Sequence, residues 1–115
     1  MSPKAEYRQD VLHALRELLA GEPDVQLGQM MGHPVFYYVA PGAKRRMFAC
    51  VYGPGVALKL PAELVTELLI EPQYAPFTPL GRPMRGWLVA PLAATPDAKD
   101  VEELVRQALD FVSQQ

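Results

Sequence analysis

The 115-residue chain is predicted to be one α+β domain, an antiparallel sheet with helices over one of its faces. Three observations carry that prediction. Between Met30 and Leu60, short β-branched and aromatic runs are separated by turns bearing Pro and Gly, and strands joined by such short turns pair antiparallel. Both terminal stretches instead repeat their apolar residues with the period of a helix. The length suffices for one hydrophobic core and not for two. Residues 1–115 are therefore read as a single domain in the order α-β-β-β-α-(β)-β-α, a three-stranded meander plus one or two further strands.

The first helix is placed from Lys4 to Ala20. Tyr7, Val11, Leu15 and Leu18 form its apolar stripe, Leu12 and Leu19 widen it, and Arg8, Arg16 and Glu17 face away. Ser2 with Pro3 supplies a cap and a first-turn proline, while Gly21 and Pro23 supply the stop. Val25, Leu27 and Gln29 alternate with polar or small neighbours, which marks a short extended segment, and Met30 to Pro34 turns the chain. The meander strands are Val35–Val39, Arg46–Tyr52 and Val56–Leu60, with turns at Pro41–Lys44 and Gly53–Gly55. Pro61 opens a second helix that buries Leu64, Val65, Leu68 and Leu69, and Pro72 ends it. Pro72, Pro76, Pro79 and Pro83 make residues 71–85 irregular, so any strand there is short or lies on an edge. Gly86–Pro91 is the last strand. A final helix begins near Thr95-Pro96-Asp97, capped by Thr95 or Asp97, and its stripe is Val101, Leu104, Val105, Ala108, Leu109 and Val112.

Half the residues are apolar and 21% are charged, the composition of an ordinary globular protein and not of a disordered one. No apolar run reaches the roughly 18 residues that a membrane helix needs. Met1 to Glu6 lacks the apolar stretch of a secretory signal, so a cytoplasmic location is expected. Cys50 is the one cysteine; it cannot form an internal disulfide and fits a reducing compartment. Its alternation with Phe48 and Tyr52 marks an ordinary strand position. The net charge of −2 argues against strong nonspecific binding to nucleic acid, but the charge is unevenly spread. Residues 33–92 hold Lys44, Arg45, Arg46, Lys59, Arg82 and Arg85 against Glu63, Glu67 and Glu71, whereas both helical ends are acidic.

The usual catalytic constellations are missing from the sequence. One cysteine with His13 and His33 does not make a zinc site. Gly53-Pro54-Gly55 puts a proline where a phosphate loop needs free amides. Ser2 and Ser113 are the only serines and lie near the ends, so no nucleophile elbow exists. His13 lies off the apolar stripe and reads as a surface histidine. The pairs Glu102/Glu103 and Glu63/Glu67 read as solvated helix charge rather than an acid/base pair. No catalytic residue, metal or cofactor is assigned, and a non-enzymatic chain is expected.

Three features bear on binding. Lys44-Arg45-Arg46 at a hairpin turn is either a solvated tip that protects a strand edge or a basic wing that contacts phosphates. Lys59 alternates with Leu58 and Leu60 and so lies on the sheet face opposite those leucines. Arg82, Arg85 and Trp87 can join Lys59 on an open basic and aromatic face suited to stacking or to an anionic ligand; the competing role for Trp87 is a core anchor. Met30 and Met31, beside His33, either fill core gaps or form a partner-binding surface.

In sequence order these stretches resemble a known family. Met30-Met31-Gly32-His33-Pro34-Val35-Phe36-Tyr37 is similar to the opening of the TfoX N-terminal domain, with Met31 where that family has phenylalanine. Arg46-Met47-Phe48-Ala49-Cys50-Val51-Tyr52 resembles the second strand shared by TfoX-like and YjbR/MmcQ-like proteins, with Arg46 in place of lysine. Leu58-Lys59-Leu60-Pro61 and Met84-Arg85-Gly86-Trp87-Leu88-Val89 resemble their later strands. The resemblance implies a small bacterial α+β domain, grouped with proteins proposed to regulate competence or to bind DNA. The expectation is a binding module that meets DNA or another anionic partner through Lys44, Arg45, Arg46, Lys59, Arg82 and Arg85. The alternative is a protein-interaction or homodimer module that uses an aromatic sheet face (Phe36, Tyr38, Trp87) or the methionine turn. A ligand pocket around Trp87 and His33 is a third reading.

Overall fold

The computed structural model describes residues 6–93, 99 and 101–115. Along them run α1 (Gln9–Leu18), β1 (Val25–Met30), β2 (His33–Tyr38), β3 (Arg46–Tyr52), β4 (Gly55–Lys59), α2 (Ala62–Leu68), β5 (Ala75–Pro76), β6 (Trp87–Pro91) and α3 (Glu102–Ser113). Neighbouring strands are all antiparallel, in the order β1-β2-β3-β4-β6-β5. This is the α+β architecture expected. The extended segment around Leu27 is the first strand of the meander, and the proline-rich stretch contributes the two-residue edge strand β5.

Helices cover one face of the sheet. Val11 and Leu15 of α1, Val65 of α2, and Val105, Ala108 and Val112 of α3 pack on Phe36, Val51, Val56, Leu58 and Leu88. Each large side chain removed from water there stabilises the fold by about 1.5–3 kcal/mol. Leu69, expected on the buried face of α2, is 37% exposed, because the helix ends at Leu68 and Leu69 already belongs to the turn that follows. Pro61 is the N-cap of α2 rather than its first helical residue.

The start of α1 differs more. The expected helix from Lys4 gives way to one beginning at Gln9, and Glu6 to Arg8 have no helical structure. Ser2, Pro3 and Lys4 lie outside the described residues. The cause is a set of long-range bonds. Gly53 N–H donates to the Glu6 carbonyl at 3.0 Å, and Arg8 reaches the carbonyls of Pro54 (3.1 Å), Leu92 (2.9 Å) and Ala93 (2.7 Å). The same guanidinium pairs with Asp10 at 2.8 Å. That hydrogen bond holds the Asp10 carboxyl below its ordinary range and Arg8 above its own. Arg8 therefore does not face away from the fold; it ties the N-terminal segment to two connections of the sheet. His13 is on the surface as expected, 3.2 Å from Glu17.

β2 begins at His33 rather than Val35. Met31 (φ 52°) and Gly32 (φ 82°) form a two-residue turn with both φ values positive, which leaves Met30 and His33 directly paired. At the C-terminus Thr95 and Asp97, the expected caps, lie outside the described residues. Strand β4 passes close to β6: a Cβ on Gly55 would run into the Ala90 carbonyl oxygen.

The second face of the sheet is not open. Val35, Cys50, Ala57, Trp87 and Val89 form a second cluster, closed by Phe77 from the proline-rich segment. Phe77 is fully buried, and its carbonyl accepts from Met84 N–H at 2.9 Å, which folds residues 77–84 over the face. A bulge decides which β3 residues reach that cluster. Phe36 pairs with Ala49, but Tyr37 pairs with Met47, so Phe48 is an extra residue on β3. Phe48 and Ala49 both enter the helix-side core, while Cys50 and Tyr52 belong to the second cluster. Strict alternation would have put Phe48 on the Cys50 face.

Candidate anion-binding end of the sheet

The antiparallel order brings the end of β2, the start of β3, the end of β4 and the start of β6 to one end of the sheet. The pairs Tyr38↔Arg46 and Lys59↔Trp87 mark that end. Connections there carry Lys44, Arg45 and Arg46 on the β2–β3 hairpin, Lys59 at the last residue of β4, and Arg85 two residues before β6. Five of the six basic candidates thus converge through strand order. The sixth, Arg82, is exposed on the covering segment.

They do not share one face. Directly opposed residues of an antiparallel pair point the same way, so Arg46 lies with Tyr38, which packs against the helix-side core. Arg45 lies on the other side, its guanidinium carbon 4.3 Å from the centroid of the Tyr37 ring. Lys59 is on that second side too, as its alternation with Leu58 and Leu60 predicts, with Nζ 6.0 Å from the Trp87 centroid. Lys44 and Arg45 are exposed, and Arg46 and Lys59 are half-buried. Arg85 is exposed on the rim of a cleft of about 360 Å³ between α2 and the segment leading into β6, facing Glu63, Thr66 and Leu69.

Among the described residues, none of these six cations makes an ion pair with a carboxylate. The ion pairs present join Arg8 to Asp10, His13 to Glu17, and Arg106 to Glu22 and Glu102. Asp10, Glu17, Glu22 and Glu102 of the terminal elements are thus engaged with cations of those same elements, while Arg45 and Lys59 at the sheet end lie against aromatic rings. The carboxylates Glu63, Glu67 and Glu103 are exposed helix residues. Among the described residues no three of the His, Cys, Asp and Glu side chains are grouped to hold a metal ion.

Several interaction candidates prove to be core. Trp87 is 4% and His33 9% exposed, and Met30 packs half-buried on the second cluster. Only Met31 is exposed, at 51%. The aromatic sheet face does not exist as a surface: Phe36 and Tyr38 belong to the helix side, and Trp87 to the opposite side. His33 and Trp87 do not line one pocket either. Tyr52 and Phe77 stand between them in a series of ring contacts, His33–Tyr52 (5.0 Å), Tyr52–Phe77 (5.0 Å) and Phe77–Trp87 (5.3 Å). Phe77 was the residue that sequence reasoning passed over. Its signal was available, a lone phenylalanine in a stretch otherwise dominated by proline and polar residues.

No protein-family model, curated protein or solved structure matches the chain. No described helix is long and apolar enough to cross a membrane.

Proposed function

We propose that the chain is a small non-enzymatic binding module of the TfoX-like group that holds an anionic partner, duplex DNA, at the basic end of its sheet. The observation that supports this most is the convergence of Lys44, Arg45, Arg46, Lys59 and Arg85 there without a carboxylate partner among the described residues. Such cations neutralise phosphates without first breaking an internal ion pair, and the release of condensed counterions drives association. Arg45 is already stacked on Tyr37, so less side-chain freedom is lost when it meets a phosphate. The hairpin contacts position the duplex and carry no base readout.

Fluorescence anisotropy with a labelled duplex at low and at physiological salt tests the reading. Micromolar affinity at low salt is expected, falling steeply as salt rises. Lys44→Ala and Arg45→Ala should each reduce the salt slope by about 0.9. Absence of micromolar binding at low salt overturns the proposal.

A further inference from the structure

We propose that two copies of the chain join edge to edge through β1, continuing the sheet across a two-fold axis at Leu27. β1 is one outer strand of the sheet. Its sequence, Val25-Gln26-Leu27-Gly28-Gln29-Met30, has no charge and no proline, and its register with β2 runs unbroken from Val25↔Tyr38 to Met30↔His33. The devices that keep an edge strand from pairing are therefore absent. The opposite edge has them: β5 is two residues long and contains Pro76.

The direction of the free main-chain groups follows from the first rung. Val39 N–H donates to the Asp24 carbonyl at 2.7 Å, while Val25 N–H turns back to Glu22. Bonding alternates residue by residue along an antiparallel strand. Gln26, Gly28 and Met30 thus bond inward to β2, and Leu27 and Gln29 direct their N–H and C=O groups outward, as does the Val25 carbonyl. A two-fold axis at Leu27 pairs Leu27 with Leu27 of the copy through both main-chain bonds and sets Gln29 N–H against the Val25 carbonyl of the copy, while Val25 N–H stays with Glu22.

Side chains favour a second copy as the occupant. Leu27, opposed to Phe36 and so on the helix side, is 46% exposed. It borders a groove of about 300 Å³ between α1 and β1, walled by Leu19, Val25 and Phe36. Pairing across the axis lays each Leu27 against the other, in front of both grooves, as a self-complementary interface requires. The groove rim carries Arg16 and Glu22; Glu22 is already paired with Arg106 at 3.0 Å, so Arg16 of the copy would join that pair rather than meet a free carboxylate. Arg16 makes no ion pair among the described residues. On the second face Gln26 meets Gly28 of the copy, where the Tyr37 ring lies over the glycine and offers Gln26 a flat surface to rest on.

Sedimentation equilibrium on the full chain at micromolar concentration should give a dimer. Leu27→Arg, which sets like charges at the axis, and Gln29→Pro, which removes only an outward N–H, should each weaken it at least tenfold while the circular dichroism spectrum stays native. Because Cys50 is buried, engineered thiols report on the seam alone. Leu27→Cys should form an intermolecular disulfide under mild oxidation, and Gln26→Cys should not, since only the first brings its Cα atoms to about 5.5 Å across the axis. A monomeric chain overturns the inference. So does a dimer that tolerates both Leu27→Arg and Gln29→Pro, or one in which Gln26→Cys crosslinks as readily as Leu27→Cys.

Discussion

His33 Nδ1 lies 3.0 Å from the carbonyl oxygen of Val51, at the rung where Pro34 has no N–H to give. The pairs Val35↔Cys50 and Phe36↔Ala49 continue to Pro34 opposite Val51, so the imidazole replaces a missing main-chain donor. A carbonyl only accepts, which puts the hydrogen on Nδ1 and leaves Nε2 as an acceptor when the ring is neutral. His33→Ala leaves the carbonyl of a fully buried residue with only the weak Cys50 thiol donor at 3.9 Å and should cost roughly 1–3 kcal/mol in urea unfolding. Adding Pro34→Ala to that variant restores an N–H at the same rung and should recover part of the loss. A double variant no more stable than His33→Ala alone refutes the replacement.

Met31 adopts φ 52°, a left-handed conformation that costs a side-chain-bearing residue about 1–2 kcal/mol. Its side chain is half exposed, so little burial compensates. Met31→Asn creates the Asn-Gly pair favoured in such two-residue hairpins. Stability should rise by about 0.5–1 kcal/mol, read as a higher urea midpoint with an unchanged slope. An unchanged or lower midpoint would show that the methionine packs to greater effect than its exposure implies.

The same turn illustrates what was legible in the sequence. Meander strands and their turns could be read because both signals, two-residue alternation and Gly or Pro at the reversals, are local. The opposite facing of Arg45 and Arg46, and the placement of Lys59 away from Leu58 and Leu60, follow from that alternation. The bulge at Phe48 carries no glycine or proline to announce it, so the face of Phe48 was unreadable. Burial of Trp87 depends on Phe77 folding back over the sheet, a tertiary contact in a segment without periodicity. The helix start failed for a similar reason: Arg8 is held by carbonyls 46 and 84 residues away. The basic end could be assembled only once strand order was known.

Arg8 spends its guanidinium on three carbonyls and Asp10 at once. A lysine ammonium carries its three donors on one nitrogen and cannot span that fork. Arg8→Lys should therefore lower the urea midpoint nearly as far as Arg8→Ala, despite keeping the charge. Wild-type stability in Arg8→Lys would mean that charge alone, rather than the array of hydrogen bonds, anchors the N-terminal segment.

Cys50 is fully buried in the second cluster, and burial pushes its thiol from the ordinary 9.0 up to about 12. The charged form is the one excluded from an apolar site, so the folded chain keeps the proton that the unfolded chain gives up first. The resulting stability is fully present below about pH 9 and is lost as pH rises toward 12. Unfolding curves between those limits should show stability falling with pH, and Cys50→Ala should lack this contribution. At neutral pH the thiolate needed for disulfide exchange is scarce and enclosed, so a disulfide reagent should label the folded chain only as fast as it opens. Rapid stoichiometric labelling of the native chain would place Cys50 at a solvent path and remove the basis for both expectations.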